Sequence, residues 1–193
     1  PMTAAPTVNN TVAIRMRGSD VDGSVQTGVV SITAPDGQAR NFSTTTVNRM
    51  IEFTPNESGL WTINVTLRDD DNATASVNQT IRVNAPPKAG IEINDDLRVG
   101  QSATIEANAT DPDGVISNYT WQVDGDTYTG KNITITPDEA GRMSISLHVE
   151  DDDGAVSTAN RSVFVDQPIE LELEAETTLG NNVIKAELNT RYQ

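Results

Sequence analysis

Met143-Ser144-Ile145-Ser146-Leu147-His148-Val149-Glu150-Asp151-Asp152-Asp153-Gly154-Ala155 decides the fold. Large apolar residues alternate with small polar ones from Met143 to Val149, the period of two of a half-buried strand. The run ends in three acids and a glycine, which is turn chemistry. Trp61, Ile63, Val65 and Leu67 repeat the alternation, and Asp69-Asp70-Asp71-Asn72-Ala73 closes it in the same way. These two stretches lie 82 residues apart.

Further pairs share that offset of 82: Pro55 with Pro137, Gly59 with Gly141, and Ile81-Arg82-Val83 with Val163-Phe164-Val165. Asp20-Val21-Asp22-Gly23 and Asp111-Pro112-Asp113-Gly114 are 91 apart, so the first copy holds nine additional residues before Pro55. A third copy opens at Leu171-Glu172-Leu173 and Gly180, matching Ile91-Glu92-Ile93 and Gly100. The expected division is residues 1–84, a first sandwich whose opening strand is missing; 85–166, a second; and 167–193, the incomplete start of a third. The ragged ends suggest a piece of a longer array. In a polymer, the alternating Ile169–Ala175 could complete the open sandwich of a neighbouring copy.

Other strands are read at Ala103, Ile105, Ala107 and Ala109, at Tyr119, Trp121 and Val123, and at Ile133 and Ile135. Turn signals at about ten-residue spacing make the chain all-β, built from tandem sandwiches. Trp61 and Trp121 read as one core aromatic per sandwich.

With 193 residues, 36% hydrophobic and only 4% aromatic, the chain can fill small cores but not one large one. Its net charge of −15 repels nucleic acid and anionic membranes. Three lysines against ten arginines, with abundant acid, suit a salt-loving prokaryote. The lack of cysteine excludes a disulfide scaffold, thiol catalysis and Cys-ligated zinc. The one histidine, His148, lies on the outward phase of its strand, so no Ser-His-Asp triad or His-based zinc set can form. The reading is therefore not an enzyme, with no membrane insertion in this segment.

The second copy resembles the polycystic-kidney-disease (PKD) domain family. The residues that carry the resemblance are Asp111-Pro112-Asp113-Gly114-Val115-Ile116-Ser117-Asn118-Tyr119-Thr120-Trp121, Asp124-Gly125-Asp126, Glu139-Ala140-Gly141, and Val149 through Ala155. The resemblance implies an immunoglobulin-like sandwich, set in tandem on cell-surface proteins, archaeal surface-layer proteins or secreted hydrolases as a spacer or binding module.

Asn-x-Ser/Thr occurs at Asn9, Asn41, Asn56, Asn64, Asn72, Asn78, Asn108, Asn118, Asn132 and Asn160, ten of seventeen asparagines. Roughly three would arise by chance, so N-glycosylation of an extracellular chain is expected. Alternation points Asn64, Asn78, Asn108, Asn118, Asn132 and Asn160 away from the cores, and Asn56 and Asn72 fall in loops.

The acidic loops suggest structural calcium. In a sandwich of this order, Asp111, Asp113, Asp151 and Asp153 share one pole with the incoming linker, and Asp20, Asp22, Asp69 and Asp71 do so in the first copy. Calcium takes six to eight oxygens, which two acidic loops and a linker can supply. The same Asp-x-Asp-Gly string is also ordinary turn chemistry.

Two functions follow. The first is a structural unit of a glycosylated archaeal cell-surface assembly (surface layer, stalk or filament), partnered by copies of itself or other surface proteins. The alternative is an accessory binding module of a secreted hydrolase, for which Tyr128 and Tyr192 are the outward aromatics available.

Overall fold

The computed structural model describes residues 5–45, 49–93 and 96–167, with the backbone of two short strands beyond. The first unit places β3 (Ala39–Thr44), β2 (Val25–Thr33), β5 (Gly59–Asp69) and β6 (Thr74–Val83) side by side in that order. A second sheet pairs β1 (Val12–Arg15) with β4 (Met50–Phe53). Between the sheets lie Met16, Val30, Ile32, Ile51, Phe53, Trp61, Ile63 and Val83. These are the inward positions of the alternation, so burial of one face fixes the register.

The second unit repeats the plan. One sheet runs β10 (Asp126–Thr129), β9 (Ile116–Val123), β12 (Gly141–Asp151), β13 (Val156–Val165). The other runs β11 (Asn132–Ile135), β8 (Ala103–Ala107), β7 (Ile91–Ile93). Ile105, Trp121, Leu147 and Val149 are fully buried at its centre. Each tryptophan also satisfies its indole N–H: Trp121 donates to the Gly130 carbonyl at 2.9 Å and Trp61 to the Glu57 carbonyl at 3.1 Å.

Six of the nine additional residues of the first copy lengthen one hairpin, and the other three fall in the connection from β3 to β4. β2 and β3 join through Ala34–Gln38, whereas β9 and β10 turn on Asp124-Gly125. Both turn residues have positive φ, 46° and 100°, the two-residue geometry that matches strand twist. Strand β8 stops at Ala107, so Asn108 and Ala109 lie beyond it. After residue 167, the backbone shows β14 (Ala175–Thr178) paired with β15 (Asn181–Ile184). Ile169, Leu171, Leu173 and Gly180, on which the third-copy and strand-donation readings rest, and Tyr192, an aromatic of the binding-module alternative, lie outside the described residues.

Candidate functional site: the acidic joint between the sandwiches

The last residue of the first unit is tied to its own sandwich. Asn84 N–H donates to the Pro6 carbonyl at 2.8 Å, and the Asn84 carbonyl accepts from Val8 N–H at 2.9 Å. That leaves its side chain free to cross to the second unit. Buried Asn84 Nδ2 donates to Asp151 Oδ2 at 2.8 Å. The other oxygen of Asp151 closes the β12–β13 turn, accepting from Asp153 N–H at 3.0 Å and Ala155 N–H at 2.8 Å. Asp151 is thus fully bonded despite being buried, as a charged group must be.

The neighbouring contacts follow the same path. Ala85 N–H donates to Asp113 Oδ1 at 3.1 Å. Arg82 Nη2 donates to the Asp113 carbonyl at 2.9 Å and lies 3.5 Å from Asp153 Oδ2. Pro86 and Pro87 then restrict the linker, and Lys88 and Thr110 exchange backbone hydrogen bonds of 2.7 and 3.0 Å. Only Ala85, Pro86 and Pro87 separate the anchored Asn84 from the anchored Lys88.

The glycine of each Asp-x-Asp-Gly string has a steric role. Asp152 Oδ1 accepts from Val115 N–H at 3.0 Å, and its carboxylate lies where a Cβ on Gly114 would stand. Asp111 Oδ2 would be 2.6 Å from that Cβ. In the first unit Asp70 takes the Ser24 N–H at 2.9 Å and covers Gly23 in the same way. Asp69 Oδ1 accepts from Ala73 N–H at 2.8 Å, the counterpart of the Asp151 turn.

The electrostatics reflect this crowding. Burial raises the Asp111 carboxyl above its ordinary value, and the charges of Asp151, Asp113 and Asp152 add to the rise against a lowering hydrogen bond from Asp113 N–H. Asp20 is raised by burial and by Asp22 and Asp69. Asp152 is lowered, chiefly by the Val115 N–H and also by the charge of Arg82.

Among the described residues three oxygens remain orphaned: Oδ2 of Asp111, Asp113 and Asp153 are buried without a hydrogen bond. The 3.5 Å approach of Arg82 to Asp153 is an ion pair too long to count as one. The donor chemistry fits calcium, a hard cation that takes carboxylate and carbonyl oxygen. No set of three or more acidic or histidine side chains is already drawn together for a metal among the described residues. Asp22 and Asp71 are exposed and Asp20 and Asp69 half-buried, and in the first unit no orphaned oxygen accompanies them among the described residues.

The sequon asparagines are exposed at Asn9, Asn41, Asn56, Asn72, Asn78, Asn108, Asn118, Asn132 and Asn160, and half-buried at Asn64. His148 is exposed, its Nδ1 2.9 Å from the Thr158 hydroxyl. Tyr128, expected to face outward, instead packs half-buried against the second core, because β10 folds back over Trp121. It offers no flat platform to a ligand.

Residues 84–165 match the family model of the PKD domain. The second unit has a PKD-type, immunoglobulin-like fold. The match begins at Asn84, the residue that bonds across the joint. PKD domains are non-catalytic modules. A microbial collagenase of Vibrio alginolyticus is 37% identical over 89 residues, which are 45% of this chain and 11% of that protein. The crystal structure of the PKD1 domain of Vibrio anguillarum Epp is 30% identical, covering 44% of this chain and 99% of that one, with a TM-score of 0.41. The PKD1 domain of the Vibrio cholerae metalloprotease PrtV is 32% identical, covering 42% and 98%, with a TM-score of 0.38.

The sequence reading missed Asn84 and Arg82, which it placed in a linker and a strand end respectively. The one signal available was position: both lie within three residues of Ala85-Pro86-Pro87, Asn84 directly before it.

Proposed function

We propose that this chain is a non-catalytic, extracellular spacer that acts as an accessory module of a secreted hydrolase. The observation that carries the reading is the 37% identity to part of a collagenase, together with the PKD match on the second unit. The joint supports a spacer role: hydrogen bonds from Arg82, Asn84 and Ala85, beside a proline pair, hold one sandwich against the next. A tether of this kind sets distance and angle between whatever it joins, which a flexible Gly/Ser linker does not.

The test is the parent polypeptide. A catalytic domain in the same chain, and loss of activity on insoluble but not soluble polymer when residues 1–166 are deleted, is the expected result. A parent made only of further sandwiches and a membrane anchor would overturn it. That result would favour the surface-assembly reading, which rests on the ten sequons and the acidic, lysine-poor composition.

Calcium belongs to the same proposal. Asp111, Asp113 and Asp153 would hold the ion through their orphaned oxygens, with the linker beside them. Bound there, it would neutralise the acidic pole and stiffen the joint. N-linked glycans are proposed on the exposed sequons.

A further inference from the structure

Six sequon asparagines lie in strands: Asn64 and Asn118 on the inner strands β5 and β9, and the other four on sheet edges. Strands β3 and β6 are the two edges of the larger sheet of the first unit, β13 is an edge of the larger sheet of the second, and β11 is an edge of its smaller sheet. Each carries an exposed acceptor: Asn41, Asn78, Asn160 and Asn132 respectively. Asn78 and Asn160 are 82 residues apart, so the two units present an acceptor at the same place. Each sits near the middle of a ten-residue edge strand.

A long edge strand offers a row of unpaired N–H and C=O groups to any other strand. Proteins usually blunt such edges with lysine, proline or a bulge. Strands β6 and β13 contain no lysine or proline and one arginine each, Arg82 and Arg161. Register with their neighbours is unbroken over ten residue pairs. They also expose Val77, Val156 and Phe164. By composition these edges are prone to pairing.

We propose that N-linked glycans on Asn41, Asn78, Asn132 and Asn160 guard these sheet edges against edge-to-edge association. This rests on the reading that the chain is N-glycosylated. In the transfer, the asparagine Nδ2 bonds to the anomeric carbon of a lipid-phosphate-linked oligosaccharide. The C–O bond to phosphate breaks, the phosphate leaves with the electron pair, and the amide gives up one proton.

Asn64 supplies the contrast. It lies on the inner strand β5, directly between Ser31 of β2 and Asn78 of β6. Its Oδ1 accepts from the Thr66 hydroxyl at 3.3 Å, and Thr66 also meets the Ser76 hydroxyl at 2.9 Å. A glycan there would have to clear the Ser31 strand on one side and the Asn78 acceptor on the other, so Asn64 stays bare in the folded protein.

The full chain, made in an N-glycosylating host, tests this by glycopeptide mass mapping and sedimentation. Glycan on the four edge asparagines with none on Asn64 is expected. Two variant sets remove the acceptors: Asn→Gln at 41, 78, 132 and 160, and Ser43→Ala, Thr80→Ala, Thr134→Ala, Ser162→Ala. In 1 M salt, where charge is screened beyond about 3 Å, the glycosylated chain should sediment as monomer and both variants as dimers or larger. Monomeric variants, or glycan confined to the loop residues Asn9, Asn56 and Asn72, would overturn the guarding role while leaving glycosylation intact. Absence of glycan from every peptide would overturn the underlying reading as well.

Discussion

Asn84 and Asp151, 67 residues apart in sequence, are joined by a buried 2.8 Å hydrogen bond that crosses from one sandwich to the next. The amide is held by its own unit and the carboxylate by its own turn, so the contact couples two rigid frames. Asn84→Ala leaves one oxygen of a buried carboxylate unpaired. The expected cost is about 1–3 kcal/mol. Calorimetry should show the melting temperature of the second unit falling by roughly 4 °C or more.

The turns at Gly114 and Gly23 require glycine for space rather than for backbone conformation. Gly114→Ala would drive a methyl group into the carboxylates of Asp152 and Asp111. A destabilisation of about 1–3 kcal/mol is expected, as for other overpacked sites. Gly23→Ala should act in the same direction through Asp70 and Asp20. Urea denaturation of the two variants checks both.

The two shifted aspartates of the joint give opposite pH dependences. Asp111 is raised in the folded state, so its contribution is fully present below the unfolded value of about 4 and is lost as pH rises through the folded value. Without divalent cation, Asp111→Asn should therefore stabilise the protein at pH 7 and leave it unchanged near pH 3. Asp152 is lowered, so its contribution is present above about pH 4 and is lost as pH falls through the folded value. Asp152→Asn should destabilise at pH 7, and the deficit should vanish in acid. Melting curves across pH 3–7 measure both signs.

Calcium would reverse the first of these effects. If the orphaned oxygens of Asp111, Asp113 and Asp153 bind the ion, stability rises with its concentration, by about 2.7 kcal/mol at a hundredfold excess over Kd. Asp113→Asn should remove most of that gain. A melting temperature that ignores millimolar calcium would count against the site.

Much of the fold was legible in the sequence because burial of one sheet face imposes a period of two. Met143 to Val149 and Trp61 to Leu67 show it directly, and both tryptophans lie in the cores so implied. Strand β10 was not legible: Asp126–Thr129 is short and polar, and what makes it a strand is the Asp124-Gly125 turn that folds it onto β9. That fold-back also buries Tyr128. The acidic pole could be inferred from the repeat, but the division of labour within it could not. Asp151, Asp152 and Asp153 are adjacent and chemically identical. Only the turn makes the first a buried cap, the second a clamp on Val115 and the third a partner of Arg82. Asn84 left no periodic signal, since its role depends on a contact between units rather than within one.

Residual dipolar couplings of the backbone amides in both sandwiches, measured in one alignment medium, test the spacer account most directly. The account predicts a single alignment tensor for the two units of the native chain, and two unequal tensors once Arg82→Ala and Asn84→Ala are combined. Two unequal tensors in the unmodified, calcium-loaded protein would contradict it.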